Sequence, residues 1–263
     1  MNSRRWGLAR TVVQLGALGM IASPLAGLSL FSGNLSAAEI AGLPLADPLA
    51  AIQVVLASGI AHPTFLLSAA GVTLFYWILG GRTFCGWVCP VYLVTESAGK
   101  IWQNRLTTPQ IPLSGKRAAL ILFLVFAFVT GVPLFEVISP IGIVTRAILF
   151  SLWSPLLLLV GIVIMELLAG ERVWCRSLCP LGGWYSLVGA TSPVRVSYAR
   201  DRCTLCGECR TVCPVPEVLD PPLQQGDGRV RSGECTRCAR CIDICPTDAL
   251  SFGCGYSDKG GSR

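Results

Sequence analysis

Eight cysteines between positions 203 and 245 stand in two copies of one pattern, C-x2-C-x2-C-x3-C-P, and no other feature limits so tightly what this chain can fold into. The first copy is Cys203, Cys206, Cys209 and Cys213 before Pro214; the second is Cys235, Cys238, Cys241 and Cys245 before Pro246. Three thiolates at this spacing wrap a short loop around one corner of an iron–sulfur cube. The fourth, directed away by the proline, reaches the other cube. The pattern therefore implies two [4Fe–4S] clusters with crossed ligation, Cys203, Cys206, Cys209 and Cys245 on one and Cys235, Cys238, Cys241 and Cys213 on the other. Structural zinc would pair a C-x2-4-C with a second, distant pair, which a triplet followed by a Cys-Pro does not match.

This last quarter resembles the bacterial two-cluster ferredoxins. The resemblance implies a small pseudo-symmetric α+β unit and one-electron transfer. Between the runs lies a polar, proline-rich segment, Val215 to Glu234, expected to form a surface loop.

The rest of the chain reads differently. Of 263 residues, 52% are hydrophobic and 14% charged, against about 25% charged in an ordinary soluble domain. The charges are unevenly placed: 28 residues without one separate Arg10 from Glu39, and 34 separate Asp47 from Arg82. Residues 118–135 and 147–165 are further uncharged stretches. Each approaches or exceeds the roughly 20 helical residues that cross a hydrocarbon core. The expected architecture is an all-α bundle of four transmembrane helices, near 11–32, 63–81, 118–138 and 152–170, arranged as two repeated hairpins and followed by the small α+β unit. Leu49 to Ala61 is expected to form a separate interfacial helix, since one span cannot use 34 residues.

Arg4, Arg5 and Arg10 precede the first expected span, and Arg82, Lys100, Arg105, Lys116 and Arg117 lie between the second and third. The bias of basic residues towards the inner side then places both termini and the clusters in the cytoplasm of a multi-pass protein of the bacterial inner membrane. The thirteen cysteines suit that compartment, where thiols stay reduced and serve as ligands or in redox work. The Arg4-Arg5 pair resembles an export signal, but the long apolar run after it reads as a retained anchor. The net charge of +6 follows from the basic flanks, and no basic patch interleaved with aromatics points to nucleic acid.

A duplication marks the apolar part. Gly81 to Pro90 aligns with Gly170 to Pro180, and both copies read R-x-[FW]-C-x3-C-P. A spacing of four on a helix places Cys85 and Cys89, and likewise Cys175 and Cys179, on one face one turn apart, and the following proline ends or interrupts that helix. Such pairs can share a metal, exchange thiol and disulfide states, or pack. Their repeated placement beside an arginine and an aromatic favours a chemical role. Arg82 and Arg172 themselves are suited to bind an anionic headgroup, to hold a carboxylate of the cluster domain, or to set topology.

Taken whole, residues 1–192 with two C-x3-C-P motifs and residues 193–263 with two cluster motifs resemble ferredoxin-type membrane proteins of the NapH group, from periplasmic nitrate reductase systems. The resemblance implies a quinol dehydrogenase component that passes electrons from quinol towards a periplasmic nitrate reductase. Its expected surroundings are membrane lipid, quinone, and a ferredoxin-like subunit or a multihaem cytochrome as partner. Two other readings stand beside it: metal handling, with the C-x3-C-P thiols binding Cu(I), and a non-catalytic anchor for a redox partner.

Glu136 and Glu166 lie in or at the ends of apolar stretches, where an ionisable group suggests function, here taking a proton from quinol. His62, the one histidine, reads as a capping or interfacial residue. Tyr76, Trp77, Trp87, Trp153, Trp174 and Trp184 read as interfacial belt residues. Cys254 has no motif and reads as a free thiol. No phosphate loop, Ser-His-Asp set or dinucleotide fingerprint is evident.

Overall fold

Helix length decides the architecture. In the computed structural model, which describes residues 5–23, 31–34, 37–40, 43–94, 96, 113–139, 142–143, 147, 156–169, 173–225 and 228–254, the apolar stretches are cut into shorter helices than their hydropathy suggests. Helix α1, Arg5–Ala22, has 18 residues, but it carries Arg5, Arg10 and Gln14. It does not run on to residue 32, because Phe31–Asn34 is already strand β1. Helix α3, Pro63–Leu79, ends at Gly80 and Gly81, both at positive φ. The helix Gly115–Thr130 is closed by Gly131 in the left-handed conformation, and Leu156–Ala169 has 14 residues.

No helix among the described residues is long and apolar enough to cross a membrane. The expected four-helix transmembrane bundle is therefore corrected to a mostly helical chain with two small sheets. The inner-membrane, multi-pass location that rested on those spans falls with it. For α3 and for Gly115–Thr130 the cause is the punctuation: glycines adopt the positive φ that ends a helix at almost no steric cost.

The division between residues 47 and 82 follows the same logic. Asp47 caps helix α2, Pro48–Ser58, its side chain accepting from the Leu49 amide at 2.7 Å, while Pro48 opens the helix and Gly59 ends it. Two helices fill the 34-residue stretch, as its length required.

The chain forms two compact units. One comprises residues 14–74 and 89–184. In it α2 packs on the helix Gly115–Thr130, and the Gln53 amide donates to the Phe123 carbonyl at 3.3 Å, while Ala51 packs with Ala46 and Ala69. A three-stranded antiparallel meander, β1 with β2 (Ala37–Ile40) and β3 (Leu43–Ala46), leads into α2. Several apolar side chains of this unit face outward: Leu67, Ile121, Leu122, Phe128 and Leu157 are all more than half exposed.

The other unit joins residues 1–13, 75–88 and 185–263. Its sheet pairs β4, Val194–Tyr198, antiparallel with β5, Leu250–Cys254, in the register Val194 to Cys254 and Tyr198 to Leu250. The segment between the cysteine runs is not the surface loop expected. It contains the helix Asp220–Gln225, buries Val215, Val218, Leu219 and Val230, and bonds to β4 through Val230 N–H to Val196 O at 2.8 Å. Those aliphatic residues, scattered among prolines, carry no periodicity that would have announced a core role.

Candidate iron–sulfur centre

The two cysteine loops turn left-handed at the same two positions. Leu205 and Arg237, the residues before the second cysteine of each run, sit at φ 56° and 49°. Gly207 and Ala239, the residues after it, sit at φ 80° and 62°. Non-glycine residues visit this left-handed region at a cost of about 1–2 kcal/mol. Leu205, Arg237 and Ala239 bear that cost where the chain must curl its thiols and amides inward. Backbone amides already point at sulfur: Leu205 N–H donates to Cys203 Sγ at 3.4 Å, and Ala249 N–H to Cys245 Sγ at 3.3 Å.

One of the expected crossed sets lines a single cavity. A cavity of about 210 Å³ is lined by Cys203, Cys206, Cys209 and, from the other run, Cys245. Burial pushes the Cys209 thiol up, and Cys203, Cys206 and Cys245 add to the effect. Of the second expected set, burial pushes Cys213 up, and Cys238, Cys235 and, least, Cys209 add to the effect. Cys241 lies well above the usual thiol value through burial first and then Cys235, Cys238, Cys213 and Cys209. Cys245 goes the other way. Burial raises it, but the N–H groups of Thr247, Ala249 and Leu250 together outweigh burial and hold it down. Cys203, Cys206, Cys209 and Cys245 are thus four soft donors around one cavity with backbone amides aimed at sulfur, a chemistry that suits a cube. Among the described residues no three such side chains are close enough to chelate a single ion. Sulfurs held at the separate corners of a cube have no need to be.

The sets differ in exposure. Cys206 is exposed, and Leu205 beside it is 74% exposed. Cys238 and Cys241 are buried.

The second loop is gripped by sequence that precedes it by some 150 residues. Arg82, the arginine of the first R-x-F-C-x3-C-P motif, is 2% exposed and donates to Glu234 through the carbonyl at 2.8 Å and Oε2 at 3.0 Å. Of the three roles open to Arg82 from sequence, this is the carboxylate of the cluster domain. Trp87 Nε1 donates to the Arg237 carbonyl at 2.9 Å, and Arg10 donates to the Cys238 carbonyl at 3.2 Å. At Gly86 a Cβ would stand 2.9 Å from the Thr236 carbonyl, so only glycine lets these segments meet. Asp243 closes the other side by accepting from the amides of Trp6 and Gly7, the latter at 2.8 Å. Of the interfacial belt residues expected, Tyr76 packs edge-on with Phe84 and Tyr185, and Trp87 with Trp6. Trp153 lies outside the described residues.

The C-x3-C-P pairs are not one continuous helical face. In the first copy helix α4, Thr83–Trp87, ends before Cys89. In the second, Trp174–Leu178 is a π-helical turn closed by Cys179 N–H to Trp174 O at 2.8 Å, and Cys179 itself is extended. A new helix begins at Pro90 and at Pro180, the position where proline's missing N–H is harmless. The break that the prolines announced is present, but it falls at the second cysteine of each pair. Cys85, Cys89, Cys175 and Cys179 are all half-buried.

Glu166 is buried and accepts from the Trp174 amide at 2.9 Å, which positions the second motif. Glu136 falls in the short helix Leu134–Ile138, its side chain outside the described residues, as is Arg172. His62 is exposed, its carbonyl receiving the Leu66 amide at the start of α3. Cys254 is exposed at the end of β5. The grip of residues 6–10 and 82–87 on the second loop was not legible in sequence, beyond the repeated arginine.

Two family models match the chain. One, a 4Fe-4S binding domain, covers residues 61–109 and 151–193, which include all four C-x3-C-P cysteines; the other, a 4Fe-4S dicluster domain, covers residues 195–246. The methylamine utilization ferredoxin-type protein MauN of Methylorubrum extorquens is 37% identical over 89% of this chain and 84% of its own length. The ferredoxin-type protein NapH of Haemophilus influenzae is 35% identical over 81% of this chain and 76% of its own, and NapH of Escherichia coli 31% identical over 84% and 79%. No solved structure matches.

Proposed function

Since the chain belongs to the family of MauN and NapH ferredoxin-type proteins and carries two 4Fe-4S domains, we propose that this iron–sulfur electron-transfer protein acts as a quinol dehydrogenase component, taking electrons from quinol and handing them to a protein acceptor. Bound clusters supply one-electron carriers. A quinol gives up two electrons and two protons, and two one-electron carriers in one chain match that stoichiometry.

The chain's own residues hold and separate the carriers. The crossed cysteine sets tie the two loops to each other, so neither can move without the other. The exposed Leu205 and Cys206 leave one set open to a docking protein. The observation that carries the reading is the bond from Arg82, in the first C-x3-C-P motif, to Glu234, next to Cys235. It joins the family's duplicated motif to the cluster loop inside a single compact unit. The likeness is shared almost equally by MauN and NapH, so family membership supports the relay and not one terminal substrate, nitrate included. Acceptor candidates remain the ferredoxin-like subunit or multihaem cytochrome that the resemblance implies.

The test is anaerobic mixing of purified, cluster-loaded protein with a short-chain quinol, followed by electron paramagnetic resonance. Appearance of reduced-cluster signals supports the proposal. Clusters that dithionite reduces but quinol does not would overturn it.

A further inference from the structure

The second cysteine loop contains a buried cation of its own. Arg237, between Cys235 and Cys238, is 1% exposed. Its guanidinium donates to three backbone carbonyls, Cys235 at 2.7 Å, Gly189 at 3.2 Å and Val194 at 3.3 Å, and among the described residues no carboxylate is paired with it. The fold makes room for it: a Cβ at Gly80 would lie 3.0 Å from Arg237 Cδ and Nε, so the turn after α3 is glycine where the arginine passes. The neighbouring Arg82 has its charge countered by Glu234. Beside the first set Arg210, at a different position of its run, pairs with Asp220 at 2.7 Å, and both side chains are partly exposed, where water screens them.

An uncompensated buried guanidinium is expensive unless something anionic shares its site. Here the anion is the thiolate set itself. We propose that Arg237 is the potential-setting residue of the second cluster, offsetting the cost that burial imposes on its reduced form and so keeping it within reach of electrons from the more exposed first cluster. Reduction adds one electron, and hence one negative charge, to an already anionic ligand set. Burial opposes that step, and a fixed positive charge bonded to the backbone of the same loop, at the Cys235 carbonyl, favours it. At the corresponding place in the first loop stands Leu205, exposed and uncharged, so the two loops share the left-handed turn and differ in this charge. The inference rests on the two-cluster centre and is independent of quinol as donor.

It is tested by a potentiometric titration of the loaded full-length protein with dithionite and mediators, read by electron paramagnetic resonance. Cys206→Ser, which alters the first set, assigns the two waves. Arg237→Gln should move the second wave to lower potential and leave the first in place, while Arg237→Lys should return it most of the way. Glu234→Gln, which removes one negative charge beside Arg82, should move the same wave to higher potential. If Arg237→Gln fails to load the second set, the Glu234→Gln shift decides. An unmoved second wave in Glu234→Gln, or waves that move together in Arg237→Gln, would overturn the assignment.

Discussion

Gly207 and Ala239 occupy equivalent places at φ 80° and 62°, so the chain itself shows that alanine is tolerated there at a cost. Nothing stands within 4 Å of where a Gly207 Cβ would be. Gly207→Ala should therefore lower stability by about 1 kcal/mol in chemical denaturation while leaving the cluster spectra unchanged; loss of the first cluster would mean the position does more than set backbone shape. Arg82 and Glu234 belong to a different regime, because both side chains are almost wholly buried. Removing either partner should cost about 3–5 kcal/mol, and removing both together should cost less than the sum of the two single changes. A double-mutant cycle in denaturant measures this. The sequence displayed Arg82 as a repeated residue but could not choose among its three roles, since the choice depends on Glu234, a carboxylate 152 positions away.

At the level of elements, the two ferredoxin-type runs were legible because metal ligation dictates spacing, and spacing survives in one dimension. Crossed ligation, as the spacing leads one to expect, predicts that Cys213→Ser depletes the cluster held by Cys235, Cys238 and Cys241 and spares the one beside it in sequence. Spectroscopic loss of the other cluster would refute the crossing. Apolar helices were legible as apolar but not as to length. Hydropathy marks where charge is absent, whereas helix ends are set by Gly59, Gly80, Gly81 and Gly131, whose positive φ is a backbone property. The fold of Val215 to Glu234 was hidden for a related reason: its buried Val218, Leu219 and Val230 are isolated aliphatics in a stretch of turn-forming residues.

For the whole molecule, the unit that holds the cysteine loops is assembled from three separated stretches, the first of them at the N-terminus. A fragment of residues 193–263 lacks Arg10, Arg82 and Trp87, all of which bond to the second loop. Expressed alone, it should load the first set and hold the second poorly, giving about half the iron of the full chain. Full and stable loading of both sets would show those contacts to be dispensable. The grip of Arg82 on Glu234 also orders events in time. During synthesis the guanidinium leaves the ribosome long before its carboxylate exists, and Trp87 waits as long for the carbonyl of Arg237. Neither bond can form until the second cysteine loop has been made. Iron insertion into the second loop is thus a late act of biogenesis, and a stalled or truncated product would betray itself by an early half that is made but never locked.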